Sequence, residues 1–410
     1  MNTETAETLP DDGWGGCNPL DPEFRSEPHA RLARLREIDP VIVTPIGIVR
    51  LLRYEDCVHL LRDVRCGVRT MGGILPGVDE SELQNQRLFM LQQDPPNHTR
   101  LRKLVSRAFT PRALRTLEER IAEVVDQCLD RVATRGEMDV IADLALPVPA
   151  TIICEMLGVP VEDQAKFTKW TAEATWGLAA QLLSPEVLQM AADAGRNLGE
   201  YFQRLIDERR QRLTDDILSG LVRAESEGDR LSTDELLSQS VGLLIAGFET
   251  TIGLIGNGVR QLLLHPAELE KLRAHPELID GAVAECLRFD GPIPLTPRIL
   301  HEPAEFGGKS VAPDTIVFAM LASANRDPER FPDPDRFDIE RTDNDHLAFG
   351  GGPHFCLGAH LAELEGRAAI GRLVARFEDL ALVSREREPG PSLFRVPARL
   401  PVTFRPVRAA

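Results

Sequence analysis

The stretch from Val241 to Leu264, VGLLIAGFETTIGLIGNGVRQLLL, constrains the fold of this chain more than any other. By length and apolar character it could cross a bilayer, which takes ~20 residues. Its details place it in a protein interior instead. Glu249 stands near its middle, where a carboxylate is costly in lipid, and Asn257 and Arg260 add further polar groups. Upstream, Ser232 and Glu235 are spaced as a capping box, and the run stops before Pro266. A helix apolar nearly all round but outside a membrane belongs in the middle of a large domain.

Composition agrees with such a domain. Of 410 residues, 43% are hydrophobic and 27% charged, the proportions of a globular protein. Length alone suggests two or three domains. However, no Gly/Ser tract, Pro-rich run or internal repeat divides the chain. One domain over residues 21–410 is expected, after a flexible segment 1–20. A net charge of −17 argues against nucleic-acid binding. The start, MNTETAETLPDDGWGG, has neither a basic region nor an apolar run, so no membrane insertion and a cytoplasmic location are expected. Seven scattered cysteines without a CxxC pair point to reduced thiols.

Helical patterns dominate, with long helices expected near 112–134, 186–212 and 233–265. Val41 to Leu52 reads as a hairpin around Pro45 and Gly47, and short strands are expected around 293–319 and 379–404. The fold class is mainly α with small β-sheet regions.

Several motifs fail on inspection. Gly308-Lys309-Ser310 resembles the end of a phosphate loop, but Pro303 stands where that loop needs Gly, and Glu302 and Glu305 would repel phosphate. A Gly-Gly hairpin turn explains it better. His354, Cys356 and His360 fall one short of a structural zinc site.

The segment Phe349 to Gly358, FGGGPHFCLG, is more informative. A glycine-rich loop leads to Cys356, and a helical stripe of Ile370, Leu373, Val374 and Phe377 follows. A cysteine at a helix start meets backbone N–H groups and the positive dipole end, which favour a thiolate able to act as nucleophile or metal ligand. Taken alone, the pattern also fits a buried cysteine after a glycine turn.

This segment resembles the haem-ligand signature of the cytochrome P-450 family, F-x-x-G-x-[RH]-x-C-x-G, through Phe349, Gly352, His354, Cys356 and Gly358. The resemblance runs in order from about residue 20 to the chain end. It implies a haem b whose iron takes Cys356 as axial thiolate, a ligand that favours O–O cleavage. Phe349, Gly350 and Gly358 would then pack close to the porphyrin. Ala246-Gly247-Phe248-Glu249-Thr250-Thr251 is similar to the family's acid–alcohol pattern. That implies room for O2 at Ala246 and a catalytic pair, Glu249 and Thr250, that delivers protons; many relatives carry Asp at position 249. Glu285 and Arg288 match the family's ExxR, which implies an ion-pair network completed by Arg336 or Arg341. His98, Arg102, Arg298 and His354 are the implied partners of the haem propionates, as charge-assisted donors. Ile245, Ala246, Leu295 (within 292–296), Phe394 and a loop near 67–90 are expected to line the substrate pocket. The region from Trp170 to Met190 is expected to form a lid.

The implied function is a haem-thiolate monooxygenase of the soluble bacterial type. It would insert one oxygen atom of O2 into a small-to-medium lipophilic substrate by hydroxylation, epoxidation or dealkylation. Electrons would come from a ferredoxin or flavodoxin with its reductase, and a monomer is expected. Residues 100–115 hold six basic residues and no acidic one, which suggests a dock for the acidic redox partner at Lys103, Arg107 and Arg112. A gas-sensing haem protein would not need the acid–alcohol pair, and peroxide-driven relatives often lack it.

Overall fold

The apolar stretch lies within one helix, Thr233–Leu264, in the computed structural model of the chain. The structure describes residues 14–18, 21–68, 88–107, 111–177, 184–226, 231–390 and 394–406. Both halves of the capping box form: the Glu235 amide donates to Ser232 Oγ at 3.1 Å, and the Ser232 amide donates to Glu235 Oε2 at 2.9 Å. The helix ends at His265, and Pro266 opens the next one. Among the described residues only this helix is long and apolar enough to span a membrane, and 72% of its most apolar window is buried in the domain. Ile252, Leu254, Ile255, Val259 and Leu262 are all buried. Each aliphatic side chain buried in this way contributes about 1.5–3 kcal/mol.

Around this central helix pack Pro147–Leu157, Pro185–Gln211, Ile279–Asp290 and Ala359–Arg376. Pro111–Val132 joins them against Ala359–Arg376. The long helices therefore lie within two residues of their expected bounds. Phe377 is an exception: it leaves the helix with extended backbone and begins the strand Phe377–Leu382, so the preceding helix stops at Arg376.

The β structure is peripheral. A five-stranded sheet has the spatial order Val41–Val43, Val49–Leu51, Ile316–Ala319, Thr296–Leu300, Cys66–Gly67. Its first two strands are the expected hairpin, with Val43 opposite Val49. Val49–Leu51 runs parallel to Ile316–Ala319, and the remaining pairs are antiparallel. A second sheet places Pro401–Pro406 between Glu137–Asp139 and Phe377–Leu382. Ala304–Phe306 pairs with Lys309–Val311 across Gly307 and Gly308, whose φ values of 53° and 77° suit only glycine well. Gly308-Lys309-Ser310 is thus a hairpin turn and strand.

Of the expected flexible segment 1–20, only residues 14–18 are described, and these are packed. Cys17 is buried and its carbonyl accepts from the Arg50 guanidinium at 2.7 Å, while that guanidinium lies over the Trp14 ring. Residues 14–18 are thus in contact with the strand Val49–Leu51 through Arg50.

Candidate active site

A cavity of about 1310 Å³ lies between the central helix, the roof helix Pro185–Gln211 and the loop that ends at Cys356. Its shape follows from local backbone chemistry. Gly350 and Gly352 adopt φ of 70° and 63°, and a Cβ at Gly352 would come within 2.2 Å of the Leu61 carbonyl oxygen. Only glycine permits that approach. The loop then closes on itself, with the Cys356 amide donating to the Phe349 carbonyl at 2.9 Å. Phe349, Gly350, His354, Cys356, Leu357 and Gly358 all border the cavity.

Burial pushes the Cys356 thiol up, against the Gly358 amide and the nearby Arg102, which favour the thiolate. The backbone donor at the helix start thus favours the thiolate as expected, while desolvation opposes it. A bound cation would reverse the balance, since a coordinating thiol is deprotonated outright.

The opposite wall is the central helix. Ile245, Ala246, Gly247, Thr250 and Thr251 border the cavity there, and the Thr250 hydroxyl donates to the Ala246 carbonyl at 2.9 Å. Glu249 is buried at 5% exposure but does not border the cavity. An acid the sequence reading missed does so. Glu365, on the helix after Cys356, is buried with Thr251 as its hydrogen-bond partner. Burial pushes its carboxyl up to about 8. Its signal was legible: it is an acid lying beside Leu361, Leu364 and Ala369 on the helix's apolar side.

At one edge of the cavity His98, Arg102, Arg298 and His354 converge. The rings of His98 and His354 lie 4.1 Å apart. Burial, and then their cationic neighbours, depress both imidazoles, His354 to about 3. Burial brings Arg298 down to about 10; among the described residues its side chain donates only to nearby Thr296 Oγ1 and the Pro297 carbonyl. Buried His98 Nδ1 has no partner among the described residues, and the Arg102 side chain makes no hydrogen bond among them. Such a set of incompletely satisfied donors is chemically suited to an anionic group.

The brace behind the loop is also resolved between its alternatives. Glu285 and Arg288 are fully buried and joined by two hydrogen bonds of 2.7 Å. Arg341 places Nε 3.5 Å from Glu285 Oε2, whereas the exposed Arg336 side chain faces Asp338 and only its carbonyl joins the network. Of the two, Arg341 is the one whose side chain approaches Glu285. Arg288 also donates to the Asn325 carbonyl at 2.8 Å, and Asn325 Oδ1 receives the Leu347 amide at 2.7 Å. The network thereby reaches the start of the cysteine loop.

Among the expected pocket residues, Ile245, Ala246 and Phe394 border the cavity. Leu295 does not: it packs with Phe318 against the cluster of Cys17, Phe24 and Leu32. Adjacent residues of extended backbone face opposite sides, and here Thr296 and Arg298 take the cavity side, along with Pro292 and Ile293. In the expected lid, Ala174, Gly177, Pro185, Leu188 and Gln189 border the cavity, and 178–183 lie outside the described residues. In the loop near 67–90, so do residues 69–87. Within the basic run, Arg100 pairs with Glu235 and Arg102 turns to the cavity, while Lys103 and Arg107 are exposed. The Arg112 side chain lies outside the described residues.

The sequence reading also missed a buried charge cluster. Asp290 accepts from Arg387 at 3.1 Å, Arg395 at 2.8 Å and Gln261 at 2.8 Å. Asn257 Nδ2 donates to the Asp290 and Arg395 carbonyls, and the Arg395 amide donates to the Pro292 carbonyl. The cluster thus ties two cavity-wall segments, near Pro292 and Phe394, to the central helix.

Comparison with known proteins bears on this arrangement. The family model "Cytochrome P450" matches residues 48–397. The cytochrome P450 monooxygenase PikC of Streptomyces venezuelae is 42% identical, over 88% of this chain and 87% of its own. The vitamin D(3) 25-hydroxylase of Pseudonocardia autotrophica is 40% identical, over 93% and 95%. Among solved structures, P450BioI in complex with an acyl carrier protein ligated to hexadec-9Z-enoic acid superposes with a TM-score of 0.86 at 36% identity, over 93% of this chain and 99% of that one. The chain belongs to the cytochrome P450 family, monooxygenases that carry a cysteine-ligated haem b and draw on O2, lipophilic substrates and redox partners.

Proposed function

We propose that Cys356 is the axial ligand of the haem, that His98, Arg102, Arg298 and His354 hold its propionates, and that a lipophilic substrate occupies the space beneath the roof helix. The observation that carries this reading is the convergence on one cavity of a buried cysteine, an alcohol on the facing helix and an incompletely satisfied basic edge. The volume supports it too, since about 1310 Å³ exceeds the ~300–1,000 Å³ of ordinary ligand sites and suits a prosthetic group plus a substrate. Haem bound there supplies the redox chemistry that activates O2 and inserts one oxygen atom into a C–H or C=C bond.

The protein's own residues bind, exclude water and place protons. Ile245, Ile293 and Phe394 give the substrate an apolar surround. Thr250 donates to the Ala246 carbonyl, which leaves its oxygen lone pairs free to accept a hydrogen bond from the cavity. Glu365, held neutral at pH 7 by its raised pKa of about 8, keeps a proton at the cavity wall beside Thr251. Glu249 stands behind that wall as a second acid. Electrons arrive from a ferredoxin or flavodoxin that docks at the basic run of Lys103, Arg107 and Arg112.

The test uses purified holoenzyme with a ferredoxin and its reductase. Lipophilic compounds that shift the ferric spin state are screened for O2 consumption matched by oxygenated product. Reductant consumption without product for every spin-shifting compound would reject the monooxygenase assignment of this site.

A further inference from the structure

The stripe of the central helix that carries Ala246 and Thr250 continues toward its N-terminus through Gly242 and Gln239, at spacings of three and four residues. Gln239 is completely buried, and its amide is used at both ends. Gln239 Nε2 donates to the Leu88 carbonyl at 2.7 Å, while the Met90 amide donates to Gln239 Oε1 at 3.1 Å. One side chain therefore brackets the backbone of Leu88–Met90. One turn on, Gly242 receives the Phe89 ring. A Cβ there would come within 2.3–2.5 Å of three ring carbons, so the ring rests on bare helix backbone. Phe89, Met90, Leu91 and Gln92 all border the cavity.

We infer that Gln239 and Gly242 are positioning residues that set the place of the Phe89–Gln92 wall, and with it the size of ligand accepted above Ala246. The geometry makes the central helix a ruler. Gln239 lies seven residues, about 10 Å, from Ala246 along a rigid helix. Whatever holds the wall at Gln239 thereby fixes its distance from the reacting end of the cavity. An apolar side chain at 239 would leave the half-buried Leu88 carbonyl and the buried Met90 amide without these partners, and those groups would leave the helix to find water. The inference rests on the proposed haem site, which supplies its optical readout.

The test compares two nitrogen ligands of haem iron in the holoenzyme, imidazole and 4-phenylimidazole, by optical titration. Imidazole reports the iron site alone, and the phenyl ring reports the space near the wall. Gln239→Leu and Gly242→Ala are each expected to leave imidazole affinity unchanged and to alter the ratio of the two dissociation constants by roughly fivefold or more. In Gln239→Leu, hydrogen exchange of the segment 88–93 is expected to quicken by roughly tenfold. With Phe89→Ala as background, adding Gly242→Ala is expected to have no further effect, because the contact it disturbs is gone. Unchanged ratios in both variants, or additive effects in the double variant, would overturn the inference. Should Gln239→Leu fail to take up haem, Gly242→Ala and the double variant decide alone. A wild-type protein that binds neither azole would count against the proposed haem site, a result distinct from unchanged ratios.

Discussion

Asp290→Asn removes one negative charge and almost no volume, from a site where the charge has nowhere to be replaced. Asp290 is 2% exposed, and the side chains of Arg387 and Arg395 around it are 1% and 2% exposed. Burial works against the charged carboxylate, but the two guanidinium groups outweigh it and hold its pKa well below the ordinary value. The substitution leaves two buried cations with neutral acceptors only: Asn257 Oδ1 and the Arg395 carbonyl for Arg387, His29 Nε2 and the Ser26 carbonyl for Arg395. Breaking a buried ion pair by removing one partner costs about 3–5 kcal/mol, because the remaining charge is uncompensated. Two stranded arginines place this case at the upper end, a large share of a typical total stability of ~5–15 kcal/mol. The assay is urea unfolding of the holoenzyme at pH 7, followed by helical circular dichroism. A second substitution, Arg395→Met, removes one stranded cation and should recover part of the loss, so the pair is non-additive. If Asp290→Asn unfolds within about 1 kcal/mol of wild type, the cluster is not the brace described here.

Glu365→Gln tests the raised acid. Its carboxyl titrates near 8 in the folded protein, above its ordinary 4.5. The unfolded chain therefore ionises first, and this group lowers stability progressively as pH rises from about 4.5 to 8. The variant should lose that decline and be more stable than wild type at pH 8; a parallel pH profile of the urea midpoint would contradict it. Arg341→Ala should shed haem during gel filtration, since it uncovers Glu285, while Arg336→Ala, with an exposed side chain, should change stability by no more than about 0.5 kcal/mol. Equal haem loss in both would return the choice to open. Charge reversal at Lys103, Arg107 and Arg112 should slow ferredoxin-driven reduction and flatten its salt dependence; an unchanged rate and slope would move the dock elsewhere.

What the sequence disclosed and what it hid divide along a physical line. Features written in neighbouring residues were legible: the Ser232–Glu235 cap, the Gly307–Gly308 turn, and the glycine loop that delivers Cys356 to a helix start. Their geometry is set by local backbone chemistry, and the structure has it. Choices made by tertiary packing were not. Arg336 and Arg341 lie in one irregular segment, and only the fold turns Arg341 toward Glu285. Leu295 and Thr296 are equally plausible wall residues until the sheet decides which side each faces. The partners of Asp290 come from positions 257, 261, 387 and 395, a grouping no local pattern announces. Gln239 reads as one polar residue at a helix end, and its role comes from the distant Leu88–Met90 backbone.

The central claim is that Cys356 holds the haem, and the reduced carbon-monoxide complex tests it most directly. The wild-type protein is predicted to show the thiolate-type Soret band, and Cys356→Ala to lose it. Cys128, Cys154 and Cys286, all buried and none bordering the cavity, would not replace it. A thiolate-type band that persists in Cys356→Ala would contradict the assignment of the ligand, and with it the orientation of the whole site.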